Sequence, residues 1–172
     1  MIECPKCAWQ QCPSSRSSSF GHAANGTLTY TPAANANGVA TITIEIDDDG
    51  GTADGGVDIS PTQSFTITVT AVNDTPSFTK GGDQTVAEDA GAQSVATWAT
   101  AISKGPADES GQTLTFNVTN NTNAALFSAG PAIATNGTLT YTPAANQHGS
   151  AIIAIELQDN GGGAATSATQ SF

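Results

Sequence analysis

Positive charge is what this sequence has least of. Its 172 residues carry four Lys and Arg against 15 Asp and Glu, a formal net charge of −11 at pH 7. After residue 19 the only bases are Lys80 and Lys104, and fourteen acids against these two leave that stretch at −12. A nucleic-acid surface needs Lys and Arg to displace counterions from phosphates, so the composition excludes one. It permits cation binding and favours solubility. Charge of either sign is sparse, 11% of the chain where about a quarter is usual. Thr, Ser, Asn, Gly and Ala take its place, which suits an extracellular β-protein.

Long apolar runs are missing too. No stretch reaches the roughly 18 apolar residues of a membrane span. The opening MIECPKCAWQQCPSSRSSSF has no apolar h-region, so no secretory signal is expected there. Catalytic constellations are also lacking. His22 and His148 sit in turn-like contexts with no nucleophile motif around them, and Gly50-Gly51 and Gly161-Gly162-Gly163 read as hairpin loops. The Asp108-Glu109 pair could do acid–base work in principle, but no aromatic-lined cleft is suggested beside it; the chain is expected not to be an enzyme. Cysteine is confined to Cys4, Cys7 and Cys12. With His22 they could complete a zinc tetrahedron. The spacing Cys-x2-Cys-x4-Cys-x9-His matches no closed pattern, however, and a second Cys pair is absent. A disulfide with one odd thiol, or a leader unrelated to the rest, are the other readings, and Ser14–Ser19 reads as linker.

What is present is a repeat. Residues 25–35 read NGTLTYTPAAN, and residues 136–146 read NGTLTYTPAAN again. Beyond the identical block Gly38 matches Gly149, Glu45 matches Glu156, Asp48 matches Asp159, and Thr62-Gln63-Ser64-Phe65 matches Thr169-Gln170-Ser171-Phe172. A period of roughly 100 residues is the size of a whole domain, so the chain reads as a piece of a tandem array. The expected organisation is a Cys/Ser-rich leader over 1–19, the C-terminal part of a first repeat over 20–75, and a second repeat over 76–172. The first copy lacks a counterpart of about residues 76–130. The second lacks a counterpart of the strand-like run from Thr66 to Val72. A sandwich short of a strand exposes unpaired backbone groups that template pairing with another chain.

Strand signals recur at short intervals. Leu28 and Tyr30 alternate with threonines, as do Ile42, Ile44 and Ile46 with polar residues; Leu114, Phe116 and Val118, then Leu139 and Tyr141, then Ile153 and Ile155 continue the pattern. Asn25-Gly26, Asn37-Gly38, Asn136-Gly137 and Asn160-Gly161 are turn dipeptides. These features predict an all-β sandwich, with Tyr30, Tyr141 and Trp98 in its core and Val95 and Ile102 beside them.

Five stretches resemble a family. They are Phe65–Phe78, Val86-Ala87-Glu88-Asp89-Ala90-Gly91, the two NGTLTYTPAAN blocks, and Ile155–Gly161. Together they are similar to the bacterial cadherin-like and immunoglobulin-like tandem repeats of large surface adhesins, of the VCBS and RTX-adhesin type. The resemblance covers about residues 20–172. It implies an immunoglobulin/cadherin-like β-sandwich, a bacterial cell-surface or extracellular location, and a non-catalytic spacer or cell-adhesion module whose partners are neighbouring repeats. Cadherin-like members hold calcium at their joints, usually behind a linker Asp-x-Asn-Asp-x-x-Pro. Here Val72-Asn73-Asp74-Thr75-Pro76 keeps the Asn-Asp and the Pro without the first Asp. The resemblance thus implies calcium at Asn73, Asp74, Asp108, Glu109 and Asp159. Glu88 and Asp47-Asp48-Asp49 would face other joints. The competing reading is that these acids are solvated turn residues. The alternative to a spacer is a self-assembling fibre subunit that completes its sandwich by strand donation between identical chains.

Overall fold

The computed structural model describes residues 19–22, 25–163 and 165–172. The cysteines and the Ser-rich stretch up to Ser18 lie outside the described residues, and so does the side chain of His22. The chain divides into two compact units, Met1–Ala71 and Val72–Phe172. Among the described residues regular structure is all strand, apart from three single 3-10 turns.

Unit 2 is a sandwich of antiparallel sheets. One sheet runs β6 (Gln93–Val95), β10 (Leu139–Pro143), β9 (Phe127–Ile133); the other runs β12 (Gln170–Ser171), β11 (Ile153–Asp159), β8 (Leu114–Asn121). A small pair, β5 (Ser77–Thr79) with β7 (Thr100–Ser103), completes it. Alternation decides which residues go inside. Leu139 and Tyr141 point inward from β10, while Ile153, Ile155 and Leu157 point inward from β11. They close on Phe78 and Trp98, with Phe116, Phe127 and Phe172 at the margin. Edge-to-face aromatic contacts set Phe78 of β5 on Phe116 of β8 at 5.0 Å and, within one sheet, Phe127 of β9 on Tyr141 of β10 at 6.0 Å between ring centroids. Burial pushes the Tyr141 phenol above its ordinary pKa, because the phenolate would be poorly solvated.

In unit 1, β1 (Ser19–His22) pairs with β2 (Leu28–Thr31), and β3 (Gly38–Ile44) with β4 (Gln63–Val69). These four match β9 to β12 in order and in pairing. The local geometry repeats as well. Asn25 Oδ1 accepts the Thr27 N–H at 3.1 Å and Asn136 Oδ1 accepts that of Thr138 at 3.1 Å. Gly26 and Gly137 follow with φ of +82° and +83°, the left-handed backbone that an Asn-Gly turn supplies. Ser60 Oγ accepts the Ile46 N–H at 2.8 Å, and Ser167 Oγ that of Leu157 at 2.9 Å.

Burial does not repeat. Leu139, Ile155 and Leu157 are 0% exposed; their counterparts Leu28, Ile44 and Ile46 are 40%, 50% and 73% exposed. Trp98 and Tyr141 are in the core as expected, but Tyr30, expected there, is 48% exposed against 7% for Tyr141. The reason is the cover. In unit 2 residues 76–130 bring Phe78, Trp98 and Phe116 over the inner face, whereas no described residue of unit 1 from 25 to 71 is buried.

Candidate functional site

The acidic cluster lies where the chain enters unit 2. Residues 73–76 lead into β5, anchored by Pro76, one of the most completely buried residues. Behind them the 3-10 turn Ala107–Glu109 turns its last residue inward, so that Glu109 is only 5% exposed. Room for its carboxylate comes from Gly105: a Cβ there would collide with Glu109 Oε2, and the glycine's φ of +127° is one that side-chain-bearing residues avoid. Glu109 Oε1 accepts the backbone N–H of Asp74 at 2.6 Å.

Asp159, at the end of β11, is the second buried acid, also 5% exposed. Its Oδ1 accepts the Gly161 N–H at 2.9 Å, and the Asn73 amide nitrogen donates to both carboxylate oxygens at 3.3 Å. Asn73 Oδ1 accepts from Gln112 Nε2 at 2.7 Å. This network fixes the Asn73 amide orientation, because the reverse would set its oxygen against the Asp159 carboxylate. Next to it Asn160 Oδ1 accepts the Thr113 N–H at 2.8 Å.

The arrangement is a latch. Two buried carboxylates of unit 2 hold the entering chain, one by a backbone N–H and one by a side-chain amide. Such charge-assisted bonds in a partly dry setting are stronger than neutral ones. Of the five residues expected at a calcium site, Asn73, Asp74, Glu109 and Asp159 meet. Asp74 does so through its backbone, and its side chain is exposed; Asp108 is exposed as well. Among the described residues no three His, Cys, Asp or Glu groups converge to hold a metal ion. Two buried oxygens of the cluster, Glu109 Oε2 and Gln112 Oε1, have no hydrogen-bond donor. Such orphans carry a desolvation cost that a cation or a water would remove. Gln112 and Gly105 were not expected at the site; nothing in local spacing marks them, since their roles exist only once the 3-10 turn packs against residues 73–74. At the opposite end of the strands, Asp89 Oδ1 accepts the Asn146 N–H at 3.0 Å, and Glu88 lies 3.7 Å from His148. Neither is buried. No helix among the described residues is long and apolar enough to cross a membrane.

A family model for the bacterial Ig domain matches residues 10–70. In the described part of that stretch it covers β1 to β4, the strands that repeat as β9 to β12. No curated protein and no solved structure matches the chain.

Proposed function

We propose that the chain is a non-catalytic structural segment of an adhesin-like bacterial surface protein, a spacer of Ig-like repeats outside the cell. The observation that carries this reading is the repetition: NGTLTYTPAAN adopts one turn geometry twice in the same chain, each time pairing antiparallel with the strand before it. The likeness of residues 10–70 to a bacterial Ig domain supports it. A spacer must keep each repeat attached to the chain that enters it, and the Asn73–Asp159 and Asp74–Glu109 bonds do this for unit 2. Protease added to intact cells of the native host should remove the signal of an antibody against this chain. A signal that disappears only after lysis overturns the surface placement.

The finer part of the proposal is that calcium tightens the latch. Calcium takes oxygen ligands from carboxylates and amides, and the donor-less Glu109 Oε2 and Gln112 Oε1 are of that chemistry. A ligand that binds only the folded state raises stability by RT ln(1 + [L]/Kd), about 2.7 kcal/mol at a hundredfold excess over Kd. Thermal unfolding in millimolar calcium should therefore lie several degrees above unfolding in chelator, and the gap should shrink in Glu109→Gln. Superimposable melts would remove calcium and leave a latch made of hydrogen bonds alone.

A further inference from the structure

We infer that Asn160 is a self-modifying residue: its side chain closes onto the Gly161 nitrogen, expels ammonia and leaves aspartate or isoaspartate at position 160. The spacer and calcium readings play no part in this. An Asn-Gly pair is open to such a reaction because glycine puts no side chain beside the attacking nitrogen. The sequence holds four pairs, at Asn25, Asn37, Asn136 and Asn160, and the latch arms the last. The Gly161 N–H donates to Asp159 Oδ1 at 2.9 Å, so a carboxylate sits where a base must take the proton of the attacking nitrogen. Asn160 Oδ1 accepts the Thr113 N–H at 2.8 Å, so a backbone donor sits where negative charge develops on the carbonyl oxygen. The base is held in place. Asp159 is 5% exposed, and the Asn73 amide nitrogen donates to both its oxygens. Only glycine fits at 161, since a Cβ there would collide with Asn73 Oδ1 and Gln112 Nε2. Asn160 and Gly161 are themselves exposed, which gives ammonia a way out and water a way in.

In the first step the Gly161 nitrogen bonds to Asn160 Cγ, its proton passes to Asp159 Oδ1, and the carbonyl electron pair moves onto Asn160 Oδ1 under the Thr113 N–H. That pair then returns and the Cγ–Nδ2 bond breaks. The leaving nitrogen takes the proton back from Asp159 and departs as ammonia, leaving a five-membered imide. Water adds to one or other imide carbonyl and opens the ring to aspartate or isoaspartate. The sum is amide plus water to acid plus ammonia, and the Asp159 carboxylate is regenerated. The product places a new negative charge directly after Asp159, and the isoaspartyl form also adds a backbone atom between Asp159 and the N–H it holds. Asn136 is the internal control. There the Gly137 N–H donates to Ala134 O at 2.8 Å, a carbonyl that accepts a hydrogen bond but takes no proton. Asn136 Oδ1 accepts from Thr138, two residues on in its own turn.

The test incubates the whole chain at neutral pH, folded and in urea, and follows amide, imide, aspartate and isoaspartate at each Asn-Gly pair by peptide mapping. In the folded chain Asn160 should convert at least about tenfold faster than Asn136, the low end of what a placed base contributes. Urea removes the Asp159 and Thr113 bonds, so it should slow Asn160 and bring the two rates together. Asp159→Asn keeps the shape and an acceptor for the Gly161 N–H but supplies no base. It should slow conversion at Asn160 at least about tenfold and leave Asn136 unchanged. Conversion of Asn160 that is no faster than that of Asn136, or no faster folded than in urea, overturns the inference, because the same bonds would then protect the amide. An unchanged rate in folded Asp159→Asn overturns Asp159 as the base. Should that variant fail to fold, the comparison of folded chain with urea decides alone.

Discussion

Replacing Leu139 by Ala should cost unit 2 about 2–5 kcal/mol, while Leu28→Ala, at the same place in the same eleven-residue block, should change stability by less than about 0.5 kcal/mol. The two leucines share their neighbours in sequence and their turn, so intrinsic propensity cancels. What differs is enclosure. Leu139 sits in β10 between β6 and β9 and is paired with both Val95 and Ile133; it is fully buried in the cluster that contains Trp98 and Ile155. Truncation there loses the transfer energy of the removed atoms and leaves a cavity that the packed sheets close only in part. Leu28 has β1 on one side, no residue from 25 to 71 is buried, and 40% of its own surface is already in water. Urea unfolding followed by hydrogen exchange would read the two units separately. Comparable losses at both positions would mean that the face of Leu28, Ile44 and Ile46, 40 to 73% exposed, is covered in solution.

The same comparison shows what could be read from the residues alone. The strands, the Asn-Gly turns and the repeat follow from short-range chemistry, period-two alternation and positive-φ glycines, and these are legible in one dimension. The latch was half legible. Asn73, Asp74, Glu109 and Asp159 stand out as acids and amides at turns, and the structure brings them together. The sequence does not show which atoms do the holding. That Asp74 acts through its N–H, that Glu109 is buried while Asp108 is exposed, and that Gln112 orients Asn73 all depend on how the 3-10 turn at residues 107–109 closes. Tyr30 illustrates the limit from the other side. Its sequence context equals that of Tyr141, yet only Tyr141 has Phe127 edge-on to its ring. Burial is a property of the partner, and no local pattern encodes the partner.

Gly137→Ala should be among the most damaging single substitutions in unit 2, about 2–5 kcal/mol when two separate costs are combined. The first is the backbone. A φ of +83° costs a side-chain-bearing residue roughly 1–2 kcal/mol relative to glycine. Gly26, with φ +82° and open space around the position of its missing Cβ, carries that cost alone. The second is collision. At Gly137 a Cβ would run into the carbonyl oxygen of Ala99 and come within 3.3 Å of Ile102 Cδ1. Ala99 cannot withdraw cheaply, because it is 2% exposed, adjoins Trp98, and its N–H donates to Gly137 O at 2.9 Å. Forcing extra volume into a packed site of this kind typically costs a further 1–3 kcal/mol or so. Gly137→Asn separates the two costs. Asn tolerates left-handed backbone far better than Ala but brings the same Cβ. If collision dominates, Asn will be about as damaging as Ala at position 137, and both far worse than Gly26→Ala. If Asn instead restores most of the urea midpoint, the cost is backbone strain, and the close approach of the turn to Ala99 relaxes more easily than its geometry implies.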